Sequence, residues 1–276
     1  MPTIQLLPDL LISQIAAGEV VERPASALKE LLENSLDAGA TEIRVHLELG
    51  GTQLIRVADN GVGIDQTQLG LALARHATSK ITSLEDLERV ASLGFRGEAL
   101  ASIASVARVR LASRTLAATH AFEIRADGAA AGELQPTALA AGTTIEVRDM
   151  FFNTPARRKF LKTAATEYAH CDETFRRIAL ARSDVSFSLH HNDRALQHLR
   201  TQSAVERITA VLGADFTHAA VDIAEIAAGL SLHGMSALPA YSRASRDAQY
   251  VFVNGRFVRD KLLAHALRPA YRDVLH

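Results

Sequence analysis

The sequence has no tryptophan, one cysteine, seven prolines and an aromatic content of only 5%. With so few rings, a core must be built from Leu, Ile, Val and Ala, in a chain that is 48% apolar. Cys171 has no second cysteine to pair with, which excludes an internal disulfide and points to a reducing compartment, the cytoplasm. No apolar run reaches the ~18 residues of a membrane helix, so no membrane partner is expected. Met1–Glu22 carries Pro8, Asp9 and Glu19 instead of a basic, then apolar, signal peptide. An excess of one charge is also missing: 30 Lys and Arg against 31 Asp and Glu leave a net charge of −1, so any basic surface must be local. At 22% charged, the mix is that of a globular chain, and 276 residues suit one large or two modest domains.

The first strong element is a helix entered at Arg23-Pro24, with proline in its first turn, and stopped by Gly39. Leu28, Leu32 and Leu36 share one face; Glu30, Asn34 and Asp37 share another. Glu42–Leu49 then alternates, placing Ile43, Val45, Leu47 and Leu49 on one side of a half-solvated strand. Gly50-Gly51 turns the chain into a second strand, Gln53–Ala58, which ends in Asp59-Asn60-Gly61-Val62-Gly63. The pattern further predicts helices at Gln66–Arg75, Leu84–Arg89 and Glu98–Val106, then strands at Arg108–Ser113, His120–Ala126 and Thr143–Arg148. A basic loop, Asn153–Lys162, leads to a long helix at about Thr166–Arg182 and a strand at Val185–His190. Beyond residue 200 a second unit is expected. It has a helix at Ala204–Leu212, strands at Val221–Ile226, Leu230–Leu238 and Gln249–Val253, and a helix at Asp260–Tyr271.

Several familiar signatures are absent: there is no G-x-x-x-x-G-K-[ST] loop, no dinucleotide G-x-G-x-x-G after a strand and no H-E-x-x-H. His170-Cys171 and His190-His191 lack the spacing of four zinc ligands. Three short pieces carry chemistry. Glu30 and Asn34 stand one helical turn apart; a carboxylate there can orient and deprotonate water, and an amide oxygen is a hard ligand for Mg²⁺. Asp59, at a strand end, can accept a hydrogen bond from an exocyclic amine, with Gly61 and Gly63 giving a backbone without Cβ atoms beside a flat ligand. Gly94-Phe95-Arg96-Gly97 opens a helix whose free N–H groups and dipole favour an anion. Each alone has a plain reading, as a glycine turn, a solvated helix face or a helix start.

Their order is more informative. E-x-x-x-N, D-x-G-x-G, the glycine-rich helix entry and the strand start Gly142-Thr143 together resemble the ATP site shared by gyrase B, Hsp90 chaperones, sensor histidine kinases and MutL. Within that group the wording is similar to the MutL family of DNA mismatch-repair proteins. The strings are Gln14 through Ala25, Glu33 through Ala40, Arg75 through Lys80, Gly94 through Leu100, Phe151 through Phe160 and Tyr250 through Arg256.

The resemblance implies an α+β fold: a two-layer α/β sandwich ATPase of the Bergerat type at residues 1–200, then a truncated ribosomal protein S5-like α/β domain at 201–276, the incomplete start of a transducer. It implies ATP and Mg²⁺ as ligands, Glu30 as general base and Asn34 as the residue holding Mg²⁺. Asp59 reads the adenine, Gly61 and Gly63 shape its slot, and Thr143 lies beneath it. Thr78, Ser79 and Lys80 line the phosphates, and Gly94, Phe95, Arg96, Gly97, Ala99 and Leu100 form the lid and phosphate-binding helix start. It also implies that ATP drives N-terminal dimerisation, that a MutS-type mismatch sensor is a partner, and that the signal passes to a downstream endonuclease or helicase. The alternative is a nucleotide-gated DNA clamp or scaffold in which hydrolysis is incidental. The family's late-loop lysine, in a His-Pro-Ala-Lys-like string, does not occur before His276, so a monomeric, weakly active fragment is expected.

Charge is segregated. Residues 240–276 hold seven Lys and Arg against three Asp, and residues 151–182 seven against three acids, a local +4 in each. Non-specific binding of DNA through Arg256, Arg259 and Lys261 is the functional reading, and a solvated face is the plain one.

Overall fold

A computed structural model describes residues 6–75, 77, 98–128, 130–239, 241, 249–263 and 265–266. The chain divides into two compact units, Met1–Phe175 with Val185–Arg200, and Arg176–Asp184 with Thr201–His276.

The first unit is built on a nine-stranded sheet, and alternation explains its two faces. In β1 (Glu42–Glu48) the side chains of Ile43, Val45 and Leu47 are at most 1% exposed, while Arg44 lies in solvent. β1 pairs antiparallel with β2 (Leu54–Asp59) and parallel with β8 (Ser186–His191). From one edge the order is β5 (Ala130–Ala131), β4 (Ala121–Asp127), β3 (Arg108–Arg114), β7 (Gly142–Arg148), β2, β1, β8 and β9 (Arg194–Leu199), with β6 (Gln135–Thr137) also on β4. Leu49, expected on the inner face, is instead 50% exposed in a 3₁₀ turn at φ +48°. The strand stops early because Gly50 and Gly51 turn at φ +68° and +87°. A Cβ on Gly50 would stand 2.3 Å from the Ala164 carbonyl oxygen, so only glycine allows that approach.

Helices cover one face. α1 (Asp9–Val20) was not foreseen, because its apolar residues do not form one stripe. α2 (Pro24–Asp37) buries Leu28, Leu31, Leu32 and Leu36 and ends before Gly39 at φ +70°. The helix expected at Gln66–Arg75 is only a 3₁₀ turn, Gln66–Gln68, running into the four-residue α3 (Leu69–Ala72). Gly70 weakens it, and only Leu69 is buried to hold it. The segment expected at Leu84–Arg89 lies outside the described residues. α4 (Ala99–Val106) precedes β3, and the expected basic loop contains a short α5 (Pro155–Arg158). α6 (Ala164–Ala181) contributes its first part to this unit and its end to the other. β9 escaped notice because most of its residues are exposed, which erases the alternation.

In the second unit, α7 (Ala204–Leu212) starts with a reciprocal Ser203–Glu206 capping box and is followed by α8 (Ala214–His218). Arg207 is fully buried; its guanidinium donates to the Ala179 and Arg182 carbonyls at 2.8 and 3.1 Å, capping the end of α6. Two hairpins follow, β10 (Ala220–Ala227) with β11 (Leu230–Ala237), and β12 (Val251–Val253) with β13 (Arg256–Val258). The second turns at Asn254-Gly255, with φ +49° and +77°, the geometry this pair favours. Of the helix expected over Asp260–Tyr271, residues 261–263 and 265–266 are helical, and residues from 267 onward are outside the described set. Asp260 starts it, accepting from the Leu262 and Leu263 amides at 2.8 and 3.0 Å.

Candidate nucleotide site

At one end of the helix-covered face the sheet changes character. Ser113 of β3, Thr143 of β7 and Asp59 of β2 are cross-strand neighbours, a row of three polar residues. The next rows inward, such as Leu111, Ile145, Val57 and Val45, are apolar and buried. A polar row where alternation demands apolar side chains needs partners, and each member has them. Ser113, 2% exposed, accepts from the Ile64 amide at 2.8 Å and lies 2.9 Å from both the Gly142 carbonyl and the Thr143 hydroxyl. It thereby ties the end of the glycine turn to the start of β7.

Asp59 is held from three sides. The Gly61 amide donates to one oxygen at 2.9 Å, the Ser35 hydroxyl of α2 donates to the other at 2.9 Å, and the Thr143 amide also donates. Burial is the largest influence and pushes the carboxyl above its usual range, even though these three donors pull it down. A half-desolvated carboxylate with no cation among its contacts with the described residues suits a neutral donor such as an aromatic amine. Asn60 fixes the turn from behind, its side-chain oxygen accepting from the Thr41 and Glu42 amides at 2.9 and 2.8 Å.

The glycines answer to the protein's own packing. A Cβ on Gly61 would stand 2.7 Å from the Ala38 carbonyl oxygen and one on Gly63, at φ +73°, 2.3 Å from that of Arg114. Gly142, at φ +126°, would meet the Asp59 carbonyl at 2.0 Å. The turn, α2 and β7 therefore close on one another as tightly as backbone permits.

α2 presents its polar face one turn at a time. Glu30, 24% exposed at the side chain, has the Lys29 ammonium 3.3 Å away, and that lysine also reaches Glu33 at 2.7 Å. Asn34 is half-buried one turn further on, immediately before Ser35. Its amide oxygen is of the hard, neutral kind Mg²⁺ accepts, and Mg²⁺ at a nucleotide takes few protein ligands beside phosphate and water. Ala99 and Leu100 open α4 and are half-buried. Thr78, Ser79, Lys80, Gly94, Phe95, Arg96 and Gly97 lie outside the described residues. In the second unit Arg256, Arg259 and Lys261 are exposed; the Arg177 and Arg259 guanidinium carbons lie 4.2 and 6.0 Å from the Phe257 ring centre.

Ser35 and Ser113 were missed as site residues although the sequence marked both. Ser35 stands four residues after Leu31 on the buried stripe of α2, and Ser113 continues the inward series Val109, Leu111 of β3.

This arrangement has a counterpart among known proteins. Residues 22–139 match the family of histidine kinase-, DNA gyrase B- and HSP90-like ATPases, which defines the class of the first unit. Residues 208–276 match the family described as DNA mismatch repair protein, C-terminal domain. A MutL protein of Thiobacillus denitrificans is 64% identical across 99% of this chain and 46% of its own length. One from Herminiimonas arsenicoxydans is 58% identical across 99% and 45%. The solved MutL ATPase domain of Aquifex aeolicus, complexed with ADP, is 33% identical with a TM-score of 0.69, covering 91% of this chain and 88% of that one. The chain belongs to the MutL family of DNA mismatch-repair proteins and corresponds to its ATPase region. It spans a little under half the length of the full relatives it matches.

Proposed function

We propose that this chain binds Mg-ATP between α2 and the Ser113–Thr143–Asp59 row and hydrolyses it as the ATPase part of a mismatch-repair protein. The observation that carries this reading is Asp59, half-buried and held among the described residues by neutral donors, one of them Ser35 of the helix that bears Glu30 and Asn34. Asp59 accepts the exocyclic amine of adenine, and Thr143 supports the ring. Asn34 would hold Mg²⁺ through its amide oxygen; the ion would neutralise phosphate charge when bound. Glu30 orients a water and takes its proton as oxygen attacks the γ-phosphorus and the bond to the β-phosphate oxygen breaks. Thr78, Ser79 and Lys80, with Gly94, Phe95, Arg96, Gly97, Ala99 and Leu100, cover the phosphates.

By extension, residues 1–200 act as the nucleotide domain and 201–276 as part of the S5-like transducer. ATP-driven dimerisation then relays mismatch recognition from a MutS-type sensor to strand-processing enzymes. Calorimetric titration with ADP and Mg²⁺ tests the core of the reading; heat that does not saturate in the parent chain would sink it. Exposed Arg256, Arg259 and Lys261 support non-specific DNA binding in this unit. Reversing the charges of Arg256 and Arg259 should reduce the slope of log affinity against log salt by about 2, on the scale of roughly one unit per phosphate contact. An unchanged slope would leave these residues as a solvated face.

A further inference from the structure

Seven arginines stand on β1–β4 and β7, and six have a carboxylate partner. Arg44 meets Glu42, Arg56 and Arg148 meet Glu146, Arg108 meets Asp127 and Asp149, Arg110 meets Glu123 and Glu146, and Arg125 meets Glu123. Arg114, the last residue of β3, is the exception among the described residues. Its Nε is buried and has no hydrogen-bond partner among them. A buried donor left without an acceptor is unfavourable, and buried N–H groups without partners are rare.

Arg114 lines a depression of about 560 Å³ on the first unit, together with Thr119, His120 and Thr137 and an apolar floor of Ala121, Ala138 and Leu139. No Asp or Glu lines it. The Thr137 hydroxyl is engaged within the protein, donating to the Glu123 carboxylate and receiving a long contact, 3.4 Å, from the Arg110 guanidinium, so Thr119 carries the hydroxyl donor of this depression. The depression is open to solvent, and its parts are a fork-shaped cation, the Thr119 hydroxyl and an apolar patch. By the alternation of β3, the Arg114 side chain projects to the sheet face opposite Ser113, so this depression is separate from the Asp59 row.

We propose that this depression is a second ligand site, taking a small molecule that carries an oxyanion, a carboxylate or phosphate, on a compact apolar body. The guanidinium of Arg114 holds the oxyanion, Thr119 donates to it, and the body lies on Ala121, Ala138 and Leu139.

The test is a titration of ¹⁵N-labelled protein, residues 1–276, with inorganic phosphate in one arm and butyrate in the other, read by amide chemical shifts. Saturable shifts confined to residues 114, 119–121 and 137–140 are expected, and the tighter arm identifies the anion. Arg114→Gln should weaken the tighter probe at least about tenfold, the usual scale of a lost charge-assisted hydrogen bond. Arg114→Lys, which keeps charge but loses the fork, should fall between. ADP binding should be unchanged in both variants, which separates this site from the nucleotide reading. Should Arg114→Gln fail to fold, Thr119→Val gives the same readout with the arginine intact. Shifts that do not saturate with either probe, or variant affinities equal to the parent's, overturn the proposal.

Discussion

Asp59 and Glu146 lie on paired strands, β2 and β7, but on opposite faces of one sheet. For both, burial is the largest influence and works against the charged form. The outcomes differ in sign. Glu146 ends below its ordinary range, because the charges of Arg56, Arg148 and Arg110 outweigh its burial. Asp59, given only hydroxyl and amide donors, ends above. The open face therefore pairs Glu146 with arginines, whereas the covered face holds a carboxylate with no such partner among the described residues. A carboxylate kept under strain of this kind is typical of a site awaiting a partner, and a paired one is typical of a solvated surface that needs only to stay folded.

The most severe way to break this contrast is chemical. Glu30→Ala should retain ADP and ATP binding while lowering phosphate release by ~10²-fold or more, the scale of a lost general base. Parent-level turnover in a coupled phosphate assay would remove Glu30 from the role.

Asp59→Asn separates binding from stability. The folded-state value of Asp59 lies above its unfolded value, so the native protein binds more protons between the two, and stability falls as pH rises through that window. Asparagine removes this penalty. The variant should melt at or above the parent temperature at neutral pH yet bind ADP roughly 10–100-fold more weakly, the worth of one charge-assisted hydrogen bond. A large loss of melting temperature would show that Asp59 is there for folding.

On the open face the sign reverses. Arg110 is the first cause that brings Glu123 from an ordinary 4.5 down to about 2, and the residue is only 7% exposed at its side chain. That stabilisation is complete above pH 4.5 and is lost as pH falls through 2, a contribution of at most about 3 kcal/mol. Glu123→Gln should therefore lower the melting temperature by several degrees at pH 7, at about 2–4 °C per kcal/mol for a unit of this size, with little difference from the parent near pH 2. Equal deficits at both values would point to packing instead of charge.

The two faces were not equally legible. β1 could be read because one face is wet, and α2 because Leu28, Leu32 and Leu36 repeat every fourth residue. The Asp59 turn was visible because Gly61 and Gly63 stand at a strand end, but the reason for them was not. They are enforced by Ala38 and Arg114, which are remote in sequence. Ser113 was overlooked for the same reason: its meaning depends on Thr143 lying opposite, and strand pairing is not written in local spacing. The arginines of the open face looked like a plain solvated alternation. Nothing local distinguishes Arg114, without a carboxylate, from Arg110, which has two.

The smallest expected effect tests whether distance or solvent decides an ion pair's worth. The Arg44–Glu42 pair is the shorter, at 2.7 Å against 2.9 Å for Arg56–Glu146. By distance alone it should be the stronger. Its partners, however, are 68% and 44% exposed at the side chain, while Glu146 is only 9% exposed. Water screens the first pair, and holding two mobile side chains together offsets much of what remains. Arg44→Ala should change stability to urea by no more than about 0.5 kcal/mol. Arg56→Ala should cost about 1–2 kcal/mol, because it leaves a buried carboxylate with fewer donors. If the Arg44 variant loses as much as the Arg56 variant, exposure is not what separates the pairs, and the account of the open face fails with it.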